Sequence, residues 1–191
     1  HSSVPVINGL SDEEHPCQAL SDLLTIYEKK GRVEDLVLAY VGDGNNVAQS
    51  LLLAGVLVGM EVRLANPKAY QPLPSVVARA RELAQRNGGR VVLTEDPTEA
   101  ARGADILYAD VWYSMGHEEE RDVRRKVFPP YQVNQALLAG AKKDAIFMHC
   151  LPAHRGEEVT DEVIDGPRSV VLDQAENRLH MQKAILAKLL S

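Results

Sequence analysis

Three short peptides carry most of the polar side chains that could do chemistry in this chain: His15-Pro16-Cys17-Gln18, Asp110-Val111-Trp112-Tyr113-Ser114-Met115 and His149-Cys150-Leu151-Pro152. The first follows Ser11-Asp12-Glu13-Glu14 and opens a helix, with Pro16 where a missing N–H costs nothing. An imidazole and an amide at the positive end of a helix can polarise a carbonyl oxygen and help hold an anionic leaving group, as acyl transfer from an activated phosphate requires. A His and a Gln at a helix start are also common structural residues, and Cys17 reads as packing rather than as a nucleophile. Asp110 closes a buried strand, where an acid can bind a cationic amine while Ser114 and the Met115 backbone add hydrogen bonds. The plainer alternative is an Asp capping a turn beside an aromatic cluster.

Cys150 also follows a strand, and proximity to a helix end or a cation would lower its thiol pKa, although a free buried Cys is the commoner case. His149, Cys150 and His154 lack a fourth ligand at zinc spacing, so no metal is assigned. Arg178, near the start of the last helix, can reach a carbonyl or phosphate oxygen; its default is an exposed helix face. His117 and His180 are given surface positions. The turn Gly42-Asp43-Gly44-Asn45-Asn46 joins a strand to a helix, and a dinucleotide fingerprint there would need glycine at Val47 and an acid near Asn66. Both requirements fail. Two amides at a helix N-terminus suit a carboxylate instead, with Asn45 as the cap and Asn46 as the better ligand candidate.

These peptides must be positioned by elements that the hydrophobic pattern makes visible. Apolar runs at Val4–Ile7, Leu36–Val41, Glu61–Leu64, Val91–Leu93, Ile106–Tyr108, Ala145–Met148 and Ser169–Leu172 read as strands. Between them lie helical segments at Pro16–Lys30, Asn46–Val58, Ser75–Arg86, Tyr131–Ala139 and Ala175–Leu190, several followed by a glycine suited to a left-handed cap: Gly31, Gly59, Gly88 and Gly140. Alternating βα order with nearly continuous apolar strands predicts an α/β fold, a doubly wound, Rossmann-like parallel sheet with helices on both faces. Residues 1–32 are assigned to a preceding domain and an interdomain helix, 33–173 to the sheet domain, and 174–191 to a helix that returns to the preceding domain. The polar stretch Gly116–Val127 reads as a solvated loop.

A chain of 191 residues with 45% hydrophobic residues can bury a substantial core. Its net charge of -6 argues against a nucleic-acid partner, which needs clustered cations to neutralise phosphates. Two isolated cysteines suggest neither a disulfide framework nor a cysteine zinc site, and fit a reducing cytoplasm. The longest apolar run, Leu51–Met60, is too short to span a bilayer, so no membrane is expected. The opening His1-Ser2-Ser3, directly before Val4–Ile7, is read as a cut within a larger protein.

The peptides His15–Gln18 with Asp22, Gly42–Asn46, Asp110–Gly116, His149–Pro152 with Arg155-Gly-Glu-Glu-Val159, and Asp173–His180 resemble, in order, those of the ornithine carbamoyltransferases. The resemblance implies transfer of a carbamoyl group from carbamoyl phosphate to the side-chain amine of L-ornithine, giving L-citrulline and phosphate in arginine metabolism. It implies no cofactor, and homo-oligomers built on trimers. By position it implies that His15, Gln18, Arg178, Cys150 and the Leu151 carbonyl surround the carbamoyl group, and that Asn46, Asp110, Ser114 and Met115 bind ornithine. Cys150 with Asp110 would hold the reacting amine. The family's phosphate-binding Ser-x-Arg-Thr loop does not occur in these residues, so the chain by itself is expected to be inactive. The alternatives are a carbamoyltransferase for putrescine, aspartate or N-acetylornithine, or an amino-acid-binding fragment without catalysis. A nicotinamide oxidoreductase is disfavoured by the failed fingerprint.

Overall fold

The computed structural model describes residues 1–113 and 120–190. The strands are β1 (Val37–Val41), β2 (Glu61–Ala65), β3 (Arg90–Thr94), β4 (Ile106–Ala109) and β5 (Ile146–His149). They form one parallel sheet in the order β3-β2-β1-β4-β5. Tyr40 on the central strand pairs with Leu64 on one side and Tyr108 on the other. The chain therefore builds outward from β1 in one direction, then crosses back to lay β4 on its other flank. The reversal leaves a crevice at the carboxyl ends of β1 and β4, where open α/β sheets bind ligands.

Alternation along each strand fills two cores. Leu38, Tyr40, Val62, Leu64, Ile106, Tyr108 and Met148 face one layer, packed against α1 (Pro16–Lys30), α2 (Asn46–Leu57) and α3 (Pro74–Asn87). Ala39, Val41, Leu107, Ala109 and Phe147 face the other, against α4 (Pro97–Ala101), α6 (Gln135–Gly140), α7 (Asp161–Ile164) and the rings of Trp112, Phe128 and Tyr131. Both faces are covered, which is why the strands carry so few polar residues. The last helix, α8 (Val171–Leu190), lies along α1, with Asn177 donating to Thr25 Oγ1 at 3.0 Å and to Glu28 Oε2 at 2.7 Å. Leu179, Leu186, Leu189 and Leu190 of α8 are exposed.

Three expectations are corrected. Val4–Ile7 forms no strand and is exposed: β-type residues still need a neighbour for their ladder hydrogen bonds, and none stands beside them among the described residues. Ser169–Leu172 makes only a single bridge, Ser169 to Phe147, because α8 already begins at Val171. Arg121–Val127 is a helix, α5, rather than a solvated loop, and Arg124 is 7% exposed. Its charge is answered inside the fold: Nη1 donates to Asp43 Oδ2 at 2.5 Å and to the Trp112 carbonyl at 2.7 Å, with the guanidinium 4.5 Å over the Tyr70 ring.

The turn after β1 explains its glycines without a phosphate. Gly42 has φ +144°, and a Cβ on Gly44 would lie 2.4 Å from Pro72 N and 2.5 Å from the Gln71 carbonyl carbon. Asn66, where a dinucleotide site would place its acid, donates to the Gly42 carbonyl at 2.9 Å. Gly44→Ala should therefore push the 70–72 backbone away, costing roughly 1–3 kcal/mol. A urea midpoint indistinguishable from that of the parent protein would contradict this close approach.

Candidate active site

The N-terminal turn of α1, the β1–α2 turn, the ends of β4 and β5 and the first half of α8 converge on the crevice. Asn45 caps α2, its Oδ1 accepting from the Val47 and Ala48 N–H groups at 3.0 and 3.1 Å. Its other end spans the crevice, because Nδ2 donates to Asp110 Oδ2 at 2.7 Å. Asp110 Oδ1 accepts from its neighbour's Val111 N–H at 2.8 Å and from Cys150 Sγ at 3.0 Å. The ends of β1, β4 and β5 are thereby joined at one carboxylate.

Cys150 is a thiol here. Burial, then the negative charge of Asp110, push its pKa well above the ordinary value, the opposite of the lowered thiol considered from sequence. The sulfur therefore acts as a donor rather than as a nucleophile.

His15 sits at the start of α1, its backbone N–H donating to Ser50 Oγ at 2.7 Å while the ring Nδ1 is buried without a hydrogen-bond partner among the described residues. Burial first, and then the positive charge of Arg178, lower the imidazole pKa, so the ring is neutral at pH 7. A neutral ring can donate to a carbonyl oxygen without carrying charge. Gln18, one turn further on, is 1% exposed and receives the guanidinium of Arg178, whose Nη1 donates to Gln18 Oε1 at 2.5 Å. Arg178 is half-buried and turned towards α1, not on an exposed face. The structure thus brings His15, Gln18 and Arg178 together on one side of the crevice and Asp110 with Cys150 on the other.

The β5 end is shaped by two buried groups that sequence reasoning left without roles. The His149 backbone N–H donates to Gln174 Oε1 at 2.9 Å, and the ring Nδ1 accepts from the Leu151 N–H at 2.9 Å. Nε2 must then carry the proton, which it directs at Glu158 Oε1, 3.2 Å away. The same oxygen accepts from the His154 backbone N–H at 2.5 Å, so Glu158, fully buried, clamps both ends of the 149–154 turn. Leu151 is held at φ +57°, and the Leu151–Pro152 bond is cis.

Two groups of possible metal ligands occur among the described residues: Asp110, His149 and Cys150, and His154, Glu157 and Glu158. In the first, the lone pair of His149 Nδ1 is taken by Leu151 and the Cys150 proton is shared with Asp110, so ligation would break both bonds. Asn46, favoured over Asn45 as a ligand, gives its Nδ2 to the Ser11 carbonyl at 2.7 Å. It is Asn45 that reaches Asp110. Ser114 and Met115 lie outside the described residues, as does His117.

A parallel sheet with a switch point, a crevice lined by imidazole, amide, guanidinium, carboxylate and thiol, and no glycine fingerprint define a doubly wound α/β domain with a polar ligand crevice that lacks a dinucleotide motif. Residues 34–189 match the aspartate/ornithine carbamoyltransferase Asp/Orn binding domain, and residues 1–28 match the carbamoyl-P binding domain of the same proteins. The chain belongs to the aspartate/ornithine carbamoyltransferase family. It is 60% identical to an ornithine carbamoyltransferase of Thermococcus kodakarensis over 98% of this chain and 59% of that protein. An ornithine carbamoyltransferase of Anoxybacillus flavithermus is 57% identical over 100% of this chain and 60% of its own length. The solved ornithine carbamoyltransferase of Pyrococcus furiosus superposes with a TM-score of 0.94 at 58% identity, covering 97% of this chain and 59% of that one. The chain thus spans about three fifths of the length of these relatives.

Proposed function

We propose that this chain is the ornithine-binding part of an ornithine carbamoyltransferase, in which carbamoyl phosphate and L-ornithine give L-citrulline and phosphate. The observation that carries the reading is the joining of Asn45, Asp110 and Cys150 across the sheet's switch point, opposite His15, Gln18 and Arg178. Residues 1–32 belong to the carbamoyl-phosphate domain and its connecting helix, 33–173 to the ornithine domain, and 174–191 to a helix returning to the former.

In this reading His15, Gln18, Arg178 and the Leu151 carbonyl surround the carbamoyl group. Asn46, Asp110, Ser114 and Met115 hold ornithine. The neutral δ-amine attacks the carbamoyl carbon, and the C–O bond to phosphate breaks as the tetrahedral intermediate collapses. Asp110, kept in place by Asn45 and the Cys150 thiol, lies where it can take the proton that the amine must lose before it attacks. His15 and Arg178 supply N–H donors for the oxyanion, and phosphate contacts come from the Ser-x-Arg-Thr loop outside these residues. The enzyme works in the cytoplasm, without a cofactor, as a trimer or a multiple of trimers.

No described helix is long and apolar enough to cross a membrane. The test is an assay for the carbamoylated product on the full-length protein with carbamoyl phosphate and, in turn, ornithine, putrescine, aspartate and N-acetylornithine. Product from ornithine alone is expected; product from another amine instead, or from none, would overturn the assignment. Residues 1–191 by themselves should release no citrulline.

A further inference from the structure

We propose that Asp22 is a positioning residue for carbamoyl transfer: by accepting from Gln18, Gln174 and Tyr108 together, its carboxylate fixes which end of the Gln18 amide faces the crevice. The inference rests on the carbamoyltransferase reading above and adds to it a residue that never touches substrate.

Asp22 lies one turn beyond Gln18 on α1 and is fully buried. Its Oδ1 accepts from Gln18 Nε2 at 2.8 Å and from Gln174 Nε2 at 2.8 Å, and its Oδ2 accepts from the Tyr108 hydroxyl at 3.0 Å. An ionised carboxylate can only accept, so all three partners must turn a donor towards it. For Gln18 this decides the amide's orientation. With its nitrogen committed to Asp22, Oε1 points the other way, where it accepts from Arg178 and keeps a second lone pair. That lone pair suits an N–H of the carbamoyl group. Turned over, the amide would aim its own donors at the guanidinium and at the substrate's N–H, and both contacts would become repulsive.

The same carboxylate reaches the far side of the site. Gln174 gives its nitrogen to Asp22, which leaves Oε1 to hold the His149 N–H at 2.9 Å, at the head of the turn carrying Cys150 and Leu151. One buried charge therefore sets the polarity of two amides, one beside the carbamoyl group and one behind the thiol.

The charged or titratable groups facing Asp22 are Arg178 from α8, Tyr108 from β4 and Cys150 from the end of β5. Burial raises its carboxyl to about 6, with Gln18, Gln174, Tyr108 and Arg178 pulling it partly back. Once protonated, one oxygen becomes a donor and the orientation of the amides is no longer enforced. Activity should thus fall on the acid side near this value.

The experiment uses the full-length protein. Wild type must first form citrulline; if it does not, the functional reading fails and Asp22 is not at issue. Given that activity, Asp22→Asn should lower kcat/KM for carbamoyl phosphate by about 100-fold or more, the scale of losing an aligned polar contact to the reacting group. It should also abolish the limb near pH 6, leaving only the acid-side dependence set by Asp110 and the amine, which a merely structural loss would not do. A variant within about threefold of wild type, or one that keeps the limb, would overturn the proposal. Should Asp22→Asn not fold, Tyr108→Phe removes one donor from the carboxylate and should move the acid limb to higher pH. An unmoved limb in that variant would overturn it equally.

Discussion

Asp110→Asn in the full-length protein is expected to reduce the rate of citrulline formation by about 10²–10⁴-fold, the usual worth of a positioned general base. The fold should survive. An amide in place of the carboxylate would keep an oxygen for one set of the partners, the Val111 N–H and Cys150 on one side or Asn45 on the other, and would face a donor with a donor on the remaining side. One unsatisfied contact of that kind costs about 1–3 kcal/mol, visible as a lower melting temperature but not as unfolding. Steady-state citrulline assays beside thermal melts would separate the two effects. Unchanged turnover would remove Asp110 from the chemistry and leave it as a strap between β1, β4 and β5.

The second large effect is structural. Glu158→Ala removes the acceptor shared by the His149 ring and the His154 N–H and leaves both donors buried. Each buried donor left without its acceptor costs about 1–3 kcal/mol. Glu158→Gln keeps one acceptor oxygen and should lose less. Urea unfolding would report the ordering. Because the released turn carries Cys150 and Leu151, a rise in the ornithine KM should accompany the loss of stability in Glu158→Ala. A variant as stable as wild type would show that water can replace the carboxylate, and that the 149–154 turn does not depend on it.

The sheet was legible because its signals are local and redundant. α1 begins at Pro16 and ends at Lys30 as read, and Gly31, Gly59 and Gly88 all take the positive φ expected of a helix-ending glycine. Gly140 does not: α6 includes it and ends at Ala141 in extended backbone. Two of the errors share a cause, that propensity does not supply a partner. Val4–Ile7 has strand residues with no strand beside them among the described residues, and Arg121–Val127 looked like a solvated charge run because nothing local reveals that Asp43 waits 81 residues away for Arg124.

The site divides in the same way. Asp110, Cys150, His15 and Gln18 stand at element ends, where strand-to-turn changes mark them. Asn45 was read as a cap, which it is, but its second bond to Asp110 is a tertiary fact. Glu158 follows Glu157 in a stretch of surface composition, and only the turn's geometry sends the second of the two inward. Asp22 left a clue that was available: Gln18 and Asp22 are spaced i and i+4, so a polar pair shares one stripe of a helix that is otherwise buried there.

The clasp between α1 and α8 has a bearing on when the molecule matures. Gln174 meets Asp22, and Asn177 meets Thr25, across 152 positions of sequence in each case. During synthesis the early helix must wait, its carboxylate bathed in water, until translation has passed residue 178 and the closing helix can settle on it. Loop closure of that span is entropically slow, so the sheet can assemble while the wall formed by α1 and α8 is still open. A nascent chain halted before that point would own a nearly finished scaffold and no functional pocket.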